Sequence, residues 1–353
     1  MRDRKRLLKK ELKEKNLDGF IISYPPNLRY LIGYTGDNGL LLLTHKGTVF
    51  FTDFRYKEQV KREVRGCRIR IAKKNLFDEL AEYNLKGIKR LGFESQYISV
   101  NTYKRLARKL KGIKLVPYRD ITGELRMVKD GEELLRIRRA ARITDSVFKE
   151  IIPLIKPGMR EKDLALEMEY RLKKRGDGIP FPIIVASGPN SALPHAQPTN
   201  RRFKNHDFIT LDFGTIYKGY ASDFTRTLVL GRASPRQREI YSIVLEAQRR
   251  AIEGIRPGIK ATVVDGLARD YIKSKGYGEY FGHGLGHGVG LVVHEGPVLS
   301  GMSRDILRKD MVATVEPGIY IPRFGGVRIE DLIRVDSKGA EVLTKSTRRL
   351  LEL

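Results

Sequence analysis

The chain has 353 residues, of which 41% are hydrophobic, and a formal net charge of +26 at pH 7. This length allows two domains, and the composition is that of a globular protein with a sizeable core, which excludes a disordered chain. The longest apolar run, near residues 39–43, is far shorter than the ~20 residues that a membrane-spanning helix needs. The basic N-terminus contains no apolar stretch of the kind found in secretory signals.

The single cysteine and the distribution of charge give further expectations. Cys67 has no second cysteine to pair with inside the chain, which is typical of proteins in a reducing compartment, and we expect a cytoplasmic protein. Lysine and arginine are spread along the chain and often stand beside glutamate in helical stretches, as they do on solvated helix faces. We therefore expect neither a nucleic-acid partner nor a membrane partner.

Residues 1–124 alternate strand and helix patterns, which predicts a small α/β domain. The predicted helices lie at 2–15, 55–65, 75–85 and 100–111. The predicted strands are "DGFIISY", "GLLLLTHKGTVFFTD", "CRIRIA", "RLGFES" and "KLVPY". This part of the sequence shows neither a phosphate-binding glycine loop nor metal-ligand spacing, so we expect the chemistry to lie after it.

The pattern changes to a long amphipathic helix beyond about residue 120. Asp130 is a plausible N-cap, and Glu133 follows three residues later, which together form the signature of a capping box. We therefore expect a second domain at 125–353.

This second domain contains an internal repeat with a shift of 100 residues. "IKPGMREKDLALEMEYRLKKRG" begins at Ile155, and "IRPGIKATVVDGLARDYIKSKG" begins at Ile255. Each copy predicts a helix that ends at Pro-Gly, a second helix that ends at glycine, and strands thereafter. Two similar halves would bury a shared seam, where a site can draw ligands from both.

A predicted hairpin follows the first copy, in "DFITLDFGTIYKGYASDFTRTLVL". If Lys218 and Gly219 form its turn, Asp223 pairs with Gly214, and Asp212 lies on the same face two residues further along. The two carboxylates would then be close enough to bind one cation or a close pair of cations. Two aspartates that face each other in apolar strands repel unless a positive charge lies between them.

The second copy is followed by a comparable hairpin, "DMVATVEPGIYIPRFGGVRIEDLIRV". Glu316 lies in the first predicted strand, "IPRFGG" forms the turn, and Glu330 lies in the returning strand. Arg328 is two residues from Glu330, so their side chains share a face. Each half of the repeat therefore supplies one acidic hairpin.

Three of the six histidines lie between these hairpins, in "FGHGLGHGVGLVVHE": His283, His287 and His294. Four carboxylates with a nearby neutral imidazole are typical of a site for hard-to-borderline divalent metals. Four inward-facing acids require more than one cation, so a pair of metals sharing carboxylates fits better. Such a pair lowers the pKa of a bound water to about 7. The "HExxH" spacing of simple zinc peptidases is absent.

These motifs resemble those of a known family. The order Asp212, Asp223, His287, Glu316, Glu330, set in "LDFG", "SDFTRT", "GHGLGHGVGLVVHE", "VEPGIY" and "GGVRIED", is similar to that of the pita-bread metallopeptidases. More narrowly it resembles the Xaa-Pro dipeptidases (prolidases) and Xaa-Pro aminopeptidases. The resemblance covers essentially the whole chain. It implies a mixed α/β (α+β) fold, in which a small N-terminal α/β domain precedes a pita-bread catalytic domain with a pseudo-two-fold repeat.

The resemblance also implies a ligand set for two divalent metal ions per subunit. Asp212 would hold one ion, His287 and Glu316 would hold the other, and Asp223 and Glu330 would bridge both. Manganese, cobalt, iron and zinc all fit such ligands.

Other roles follow from the same resemblance. His195, in "SGPNSALPHAQPT", and His294 would hydrogen-bond the peptide and help to stabilise the tetrahedral intermediate. Glu316 would carry the proton from the attacking water to the leaving proline nitrogen. Arg328 would orient Glu330 from outside the ligand set, and His283 would lie near the site. We also expect a homodimer.

Several alternatives to a prolidase remain open. An Xaa-Pro aminopeptidase acting on longer peptides shares the same motifs. A methionine aminopeptidase shares the ligands, although such enzymes usually lack the N-terminal domain. Creatinase has the same two-domain plan but no metal ligands, so the intact ligand set argues against it. A non-catalytic pita-bread binding protein would typically have lost ligands.

Overall fold

The computed structural model describes residues 3–353. The chain forms two compact units, and the division falls between Arg126 and Met127. The boundary predicted from the sequence lies two residues earlier, after residue 124. Among the helices of residues 3–353, none is long and apolar enough to cross a membrane.

From residue 3 onwards, the first unit contains one six-stranded sheet and six α-helices. Its strands are β1 (Gly19–Ile22), β2 (Leu40–Thr44), β3 (Thr48–Asp53), β4 (Arg68–Ala72), β5 (Arg90–Glu94) and β6 (Lys114–Tyr118). Its helices are α1 (Arg4–Glu14), α2 (Pro25–Ile32), α3 (Lys57–Glu63), α4 (Leu76–Ala81), α5 (Val100–Lys109) and α6 (Ile121–Met127). The strand order is β4-β3-β2-β1-β5-β6, in which the β1–β2 and β2–β3 pairs are antiparallel and the others parallel.

The strands predicted in this unit are confirmed, and "GLLLLTHKGTVFFTD" forms both β2 and β3. The four predicted helices are observed as α1, α3, α4 and α5, although residue 2 of the first prediction lies outside the described residues. The pattern did not reveal α2, which begins with two prolines. Proline is well suited to the first turn of a helix, where a backbone N–H has no helical acceptor.

The second unit contains four long helices and two main antiparallel sheets. The helices are α7 (Gly131–Ile151), α8 (Glu161–Arg175), α9 (Pro235–Gly254) and α10 (Ala261–Ser274). Strands β7 (Ile184–Ser187), β8 (Phe208–Asp212), β9 (Ile216–Tyr217), β10 (Tyr220–Ala221) and β11 (Thr225–Val229) precede α9. Strands β12 (Gly286–Gly288), β13 (Glu295–Leu299), β14 (Val312–Val315), β15 (Gly318–Ile321), β16 (Gly325–Arg328), β17 (Asp331–Val335) and β18 (Ala340–Val342) follow α10.

The sheets of the second unit divide between the two halves of the repeat. The first half has the sheet β11-β8-β7 and the short pair β9–β10. The second half has the sheet β13-β12-β14-β17-β18 and the pair β15–β16. Each main sheet packs against helices through its own buried apolar cluster, with α7 and α8 on the first and α9 and α10 on the second. The predicted capping box is confirmed, since Asp130 and Glu133 bond reciprocally at the start of α7.

The two copies of the repeat adopt the same local structure. Gly158 and Gly258 both have left-handed backbone angles, with φ of 85° and 88°. The N–H of Gly158 donates to the carbonyl of Phe203, and the N–H of Gly258 donates in the same way to Leu307. These turns precede α8 and α10, so the second long helix of each half begins after the same kind of turn.

A buried carboxylate lies at the end of β5. Glu94 is fully buried and accepts hydrogen bonds from the backbone N–H groups of Ser23 (2.7 Å) and Tyr24 (2.9 Å). The side-chain amide of Asn27 donates to its other oxygen (2.7 Å). Burial raises the pKa of Glu94 to about 7, although these hydrogen bonds act in the opposite direction.

This raised pKa predicts a pH dependence of stability. Between pH 4.5 and about 7 the folded protein retains a proton on Glu94 that the unfolded chain releases, so the free energy of unfolding falls as pH rises through this window. Above it the contribution is constant. Urea denaturation at a series of pH values should show that Glu94→Gln flattens this part of the profile. The exposed Glu14→Gln should leave it unchanged, and a parental slope in Glu94→Gln would contradict the assignment.

Candidate metal centre

The first acidic hairpin has the predicted turn and register. Tyr217 pairs with Tyr220 across the turn in the β9–β10 pair, and Asp212 pairs with Thr225 between β8 and β11 in the same register. Lys218 and Gly219 form the turn, both with positive φ (48° and 84°). This is the turn geometry that matches the twist of paired strands. The same register places Asp223 opposite Gly214.

The second acidic hairpin is also confirmed. Gly318 pairs with Arg328, and Val315 pairs with Asp331 in the same register, so Glu316 lies opposite Glu330. The backbone N–H of Glu330 donates to the carbonyl of Thr225 in the first hairpin (3.1 Å). The two acidic hairpins are therefore joined directly at the point where their carboxylates converge.

One cavity of about 380 Å³ collects every site residue predicted from the sequence. Its lining includes His195, Asp212, Asp223, His283, His287, His294, Glu316, Arg328 and Glu330. Phe181, Pro182, Ile184 and Val298 supply apolar surface to the same cavity. The structure thus brings together residues that are more than 130 positions apart in the chain.

Three carboxylates form the centre of this cavity. Asp212, Asp223 and Glu330 each place an oxygen within 4.8 Å of those of the other two, and Asp223 and Glu330 are only 4% and 2% exposed. Burial raises the pKa of all three. For Asp223 and Glu330 the charges of the neighbouring carboxylates raise the pKa further, whereas the Arg328 charge opposes the rise at Asp212.

These residues fit a divalent metal. Within residues 3–353, Asp212 Oδ1 and Glu330 Oε1 are buried oxygens without a hydrogen-bond partner. Buried oxygens of this kind are costly unless a donor or a cation satisfies them. A cation between the three carboxylates would satisfy both oxygens and relieve the mutual repulsion, and oxygen ligands with an imidazole suit divalent metals.

His287 and Glu316 lie beside this cluster. His287 Nε2 is 3.2 Å from Glu316 Oε1 and 3.6 Å from Asp223 Oδ2. Its Nδ1 donates to the Gly288 carbonyl (3.2 Å), which leaves Nε2 as the nitrogen that faces the carboxylates. Burial would lower the pKa of His287, but its contacts with Glu316 and Asp223 outweigh burial and raise it to about 9. For Glu316, burial alone would raise the pKa, but the contact with His287 and the charge of Arg328 outweigh burial and lower it to about 2.

Arg328, for which the resemblance implies a role in orienting Glu330 from outside the ligand set, makes its direct carboxylate contact elsewhere. Its Nη2 donates to Asp212 (2.5 Å) rather than to Glu330. Glu330 is instead held by the hydroxyl of Thr225, which donates to Oε2 (2.7 Å) and accepts from Arg328 Nε (3.2 Å). Spacing showed that Arg328 and Glu330 share a face, but it could not show which residue of the other hairpin lies between them.

The remaining histidines occupy different positions in the cavity. His283 Nδ1 donates to the Gly284 carbonyl (2.8 Å), so Nε2 accepts from the hydroxyl of Tyr320 (2.9 Å) in its neutral form. The His294 ring lies 4.2 Å from the His287 ring, measured between centroids. His195 and His294 are both exposed, which leaves them available to a bound molecule.

Sequence reasoning missed two polar residues of this site, Thr225 and Tyr320. Thr225 is fully buried, and Tyr320 accepts from Arg328 Nη1 (2.9 Å) while it contacts His283. A signal for Thr225 was present, since it lies two residues after Asp223 in an apolar strand and therefore shares its face. Tyr320 joins Arg328 on the paired strand β16 to His283, which precedes β15 by more than 30 residues, and the strand pattern does not show this second contact.

The repeated fold and the convergent carboxylates define a pita-bread metallopeptidase with an additional N-terminal domain. The sequence profile of Metallopeptidase family M24 matches residues 136–337, and that of the Creatinase/Prolidase N-terminal domain matches residues 4–128. The chain therefore belongs to metallopeptidase family M24, whose members use divalent metals.

Named relatives cover the whole chain. An Xaa-Pro dipeptidase of Pyrococcus furiosus is 40% identical over 99% of this chain and 100% of its own length. The solved structure of an Xaa-Pro dipeptidase from Bacillus anthracis is 42% identical, with a TM-score of 0.96 over 99% of both chains. An X-Pro aminopeptidase structure from Thermotoga maritima is 36% identical, with a TM-score of 0.90 over 99% of this chain and 100% of that one.

The contact between Thr225 and Glu330 yields a test. Thr225→Val keeps the shape of the side chain but removes the hydroxyl that orients Glu330. We expect the affinity for Mn²⁺, measured by isothermal titration calorimetry, to fall about 10- to 100-fold, as is usual when a partner of a metal ligand is lost. Thr210→Val is the matched control, because it removes a buried hydroxyl that bonds only Thr227 and the Gly326 carbonyl. Equal affinity in the two variants would contradict the role of Thr225.

Proposed function

We propose that this protein is a dinuclear-metal-dependent Xaa-Pro dipeptidase. The observation that carries the proposal is the convergence of Asp212, Asp223, His287, Glu316 and Glu330 in one cavity. The full-length likeness to the Xaa-Pro dipeptidases of Pyrococcus furiosus and Bacillus anthracis supports the substrate class.

The proposed ligand set follows from the positions of the side chains. Asp223 and Glu330 would bridge two ions, since each comes from a different hairpin and both are near Asp212. Asp212 would complete one ion, and His287 with Glu316 would complete the other, which accords with the short distance between the last two. When bound, such a pair of ions polarises a carbonyl and lowers the pKa of water.

The protein's own groups would bind the peptide and move the proton. His195 and His294 are exposed in the cavity and would hydrogen-bond the peptide carbonyl as charge develops on its oxygen. Glu316 lies beside the carboxylate cluster, and its carboxylate would accept a proton from the attacking water and deliver it to the leaving proline nitrogen. Phe181, Pro182, Ile184 and Val298 offer apolar surface for the proline ring.

A second candidate is an Xaa-Pro aminopeptidase that acts on longer peptides. The specific observation in its favour is the likeness to the X-Pro aminopeptidase structure from Thermotoga maritima. The two activities use the same ligands and differ in what they accept beyond the proline. The ligand set therefore does not distinguish them, and the choice of substrate in the assay does.

We also propose a homodimer in the cytoplasm that uses manganese, with catalysis assigned to residues 125–353. The homodimer rests on the family resemblance alone. The single cysteine, Cys67, is consistent with a reducing compartment. Manganese is compatible with a site made of carboxylates and one imidazole, as are cobalt, iron and zinc.

The assay uses protein stripped of metal by a chelator and reloaded with Mn²⁺ or Co²⁺. We expect metal-dependent hydrolysis of Leu-Pro, little of Leu-Ala, and little of Leu-Pro-Pro. Asp223→Asn and Glu330→Gln should each lower kcat by more than about 100-fold, since even partners outside a ligand set often cost 10- to 100-fold. Glu253→Gln, which changes an exposed carboxylate on α9, should retain activity. Cleavage of Leu-Pro-Pro alone would replace the dipeptidase assignment by the aminopeptidase.

A further inference from the structure

Arg226 lies on β11, between two threonines whose side chains point to the carboxylate side of the strand. Its own side chain points to the other side and is 2% exposed. Nη1 donates to the backbone carbonyls of Thr225 (2.9 Å) and Glu330. One guanidinium nitrogen thus binds the backbone of both acidic hairpins, immediately behind the residues that line the cavity.

The other donors of Arg226 are also satisfied. Nη2 donates to Asp331 Oδ1 (2.7 Å) and to the Ser346 carbonyl (2.9 Å), and Nε donates to the Thr347 carbonyl (2.8 Å). Arginine has five N–H donors in a planar fork, and here each of the five has an acceptor. Lysine, with three donors on one atom, could not reach this set of acceptors.

The charge of Arg226 is balanced within the same network. Asp331 is fully buried, and its second oxygen accepts from Gln248 Nε2 (3.2 Å) and lies 3.2 Å from Arg348 Nε. The hydroxyl of Thr344 also donates to Asp331 Oδ1 (2.7 Å). The hydrogen bonds on both members of this buried ion pair restrict its geometry, and with it the position of the strands that carry Arg226 and Asp331.

The Arg226–Asp331 network joins the two halves of the repeat next to the cavity. Thr225 and Arg226 belong to the first half, and Glu330 and Asp331 belong to the second. Asp223 precedes Arg226 by three residues, and Glu330 is adjacent to Asp331. The backbone positions of these two carboxylates therefore depend on the distance that Arg226 holds between the halves.

We propose that Arg226 is a positioning residue that sets the spacing between Asp223 and Glu330, with the segment around Ser346 and Thr347 as its support. This inference rests on the proposed function, because it takes these two carboxylates as bridging metal ligands. Arg226 would touch neither substrate nor metal, and it would act only through the backbone that carries the ligands.

The test compares Arg226→Lys with the double variant R226Q/D331N and with Arg348→Gln. Arg226→Lys keeps the charge and loses the fork, and the double variant removes both charges, so that no buried charge is left unpaired. Arg348→Gln removes the other cation near Asp331 without touching either hairpin backbone, which makes it the matched control. The readouts are Mn²⁺ affinity and stoichiometry by calorimetry, the exchange-coupled Mn²⁺ signal by electron paramagnetic resonance, and the thermal unfolding temperature.

We expect Arg226→Lys and the double variant to bind Mn²⁺ about 10- to 100-fold more weakly and to lose the exchange-coupled signal, while Arg348→Gln matches the parent. With Leu-Pro as substrate, kcat should fall more than KM changes. Parental affinity and signal in folded Arg226 variants would overturn the inference, even if their unfolding temperature is lower. A parent protein that binds no Mn²⁺ would instead overturn the proposed function, and the inference with it.

Discussion

Repulsion among buried carboxylates is the constraint on which this structure depends. Three carboxylates, those of Asp212, Asp223 and Glu330, each place an oxygen within 4.8 Å of the other two. Glu316 lines the same cavity. Ionised carboxylates at such distances destabilise a fold unless positive charge compensates them. Arg328 and His287 supply part of that charge from the protein, and the unpartnered oxygens of Asp212 and Glu330 mark where divalent cations would supply the rest.

The architecture of the second unit can be understood as a means of holding these charges in place. Each half of the repeat builds an apolar core of two helices against one sheet, and each extends one hairpin from that core. The hairpins are then joined by the backbone bond between Glu330 and Thr225 and by the Arg226–Asp331 pair. Hydrophobic burial stabilises each half and also joins the two, since one apolar cluster contains Ile137 of α7 together with Val312 and Leu332 of the second half. Polar contacts then set the register of the hairpins against one another.

Local signals made much of this predictable from the sequence. The Lys218–Gly219 turn fixed the register of the first hairpin, and the capping box marked the start of α7, because both depend on residues a few positions apart. The contact between Arg328 and Asp212 was not predicted, and neither was the set of hydrogen bonds made by Arg226. Alternation along a strand gives the face of a side chain, but the residue opposite it, here Asp212 or Thr347, depends on how distant segments pack.

The glycines on either side of His287, Gly286 and Gly288, allow β12 to pack closely against the neighbouring backbone. A Cβ on Gly286 would lie 2.2 Å from the Thr314 carbonyl oxygen, and one on Gly288 would lie 2.0 Å from the Gly296 carbonyl oxygen. Any larger residue at either position would push β12 away from its neighbours. His287, between the two glycines, would then move away from Glu316 and Asp223. His287 can therefore approach both Asp223 and Glu316, one from each hairpin, only because glycine stands on both sides of it.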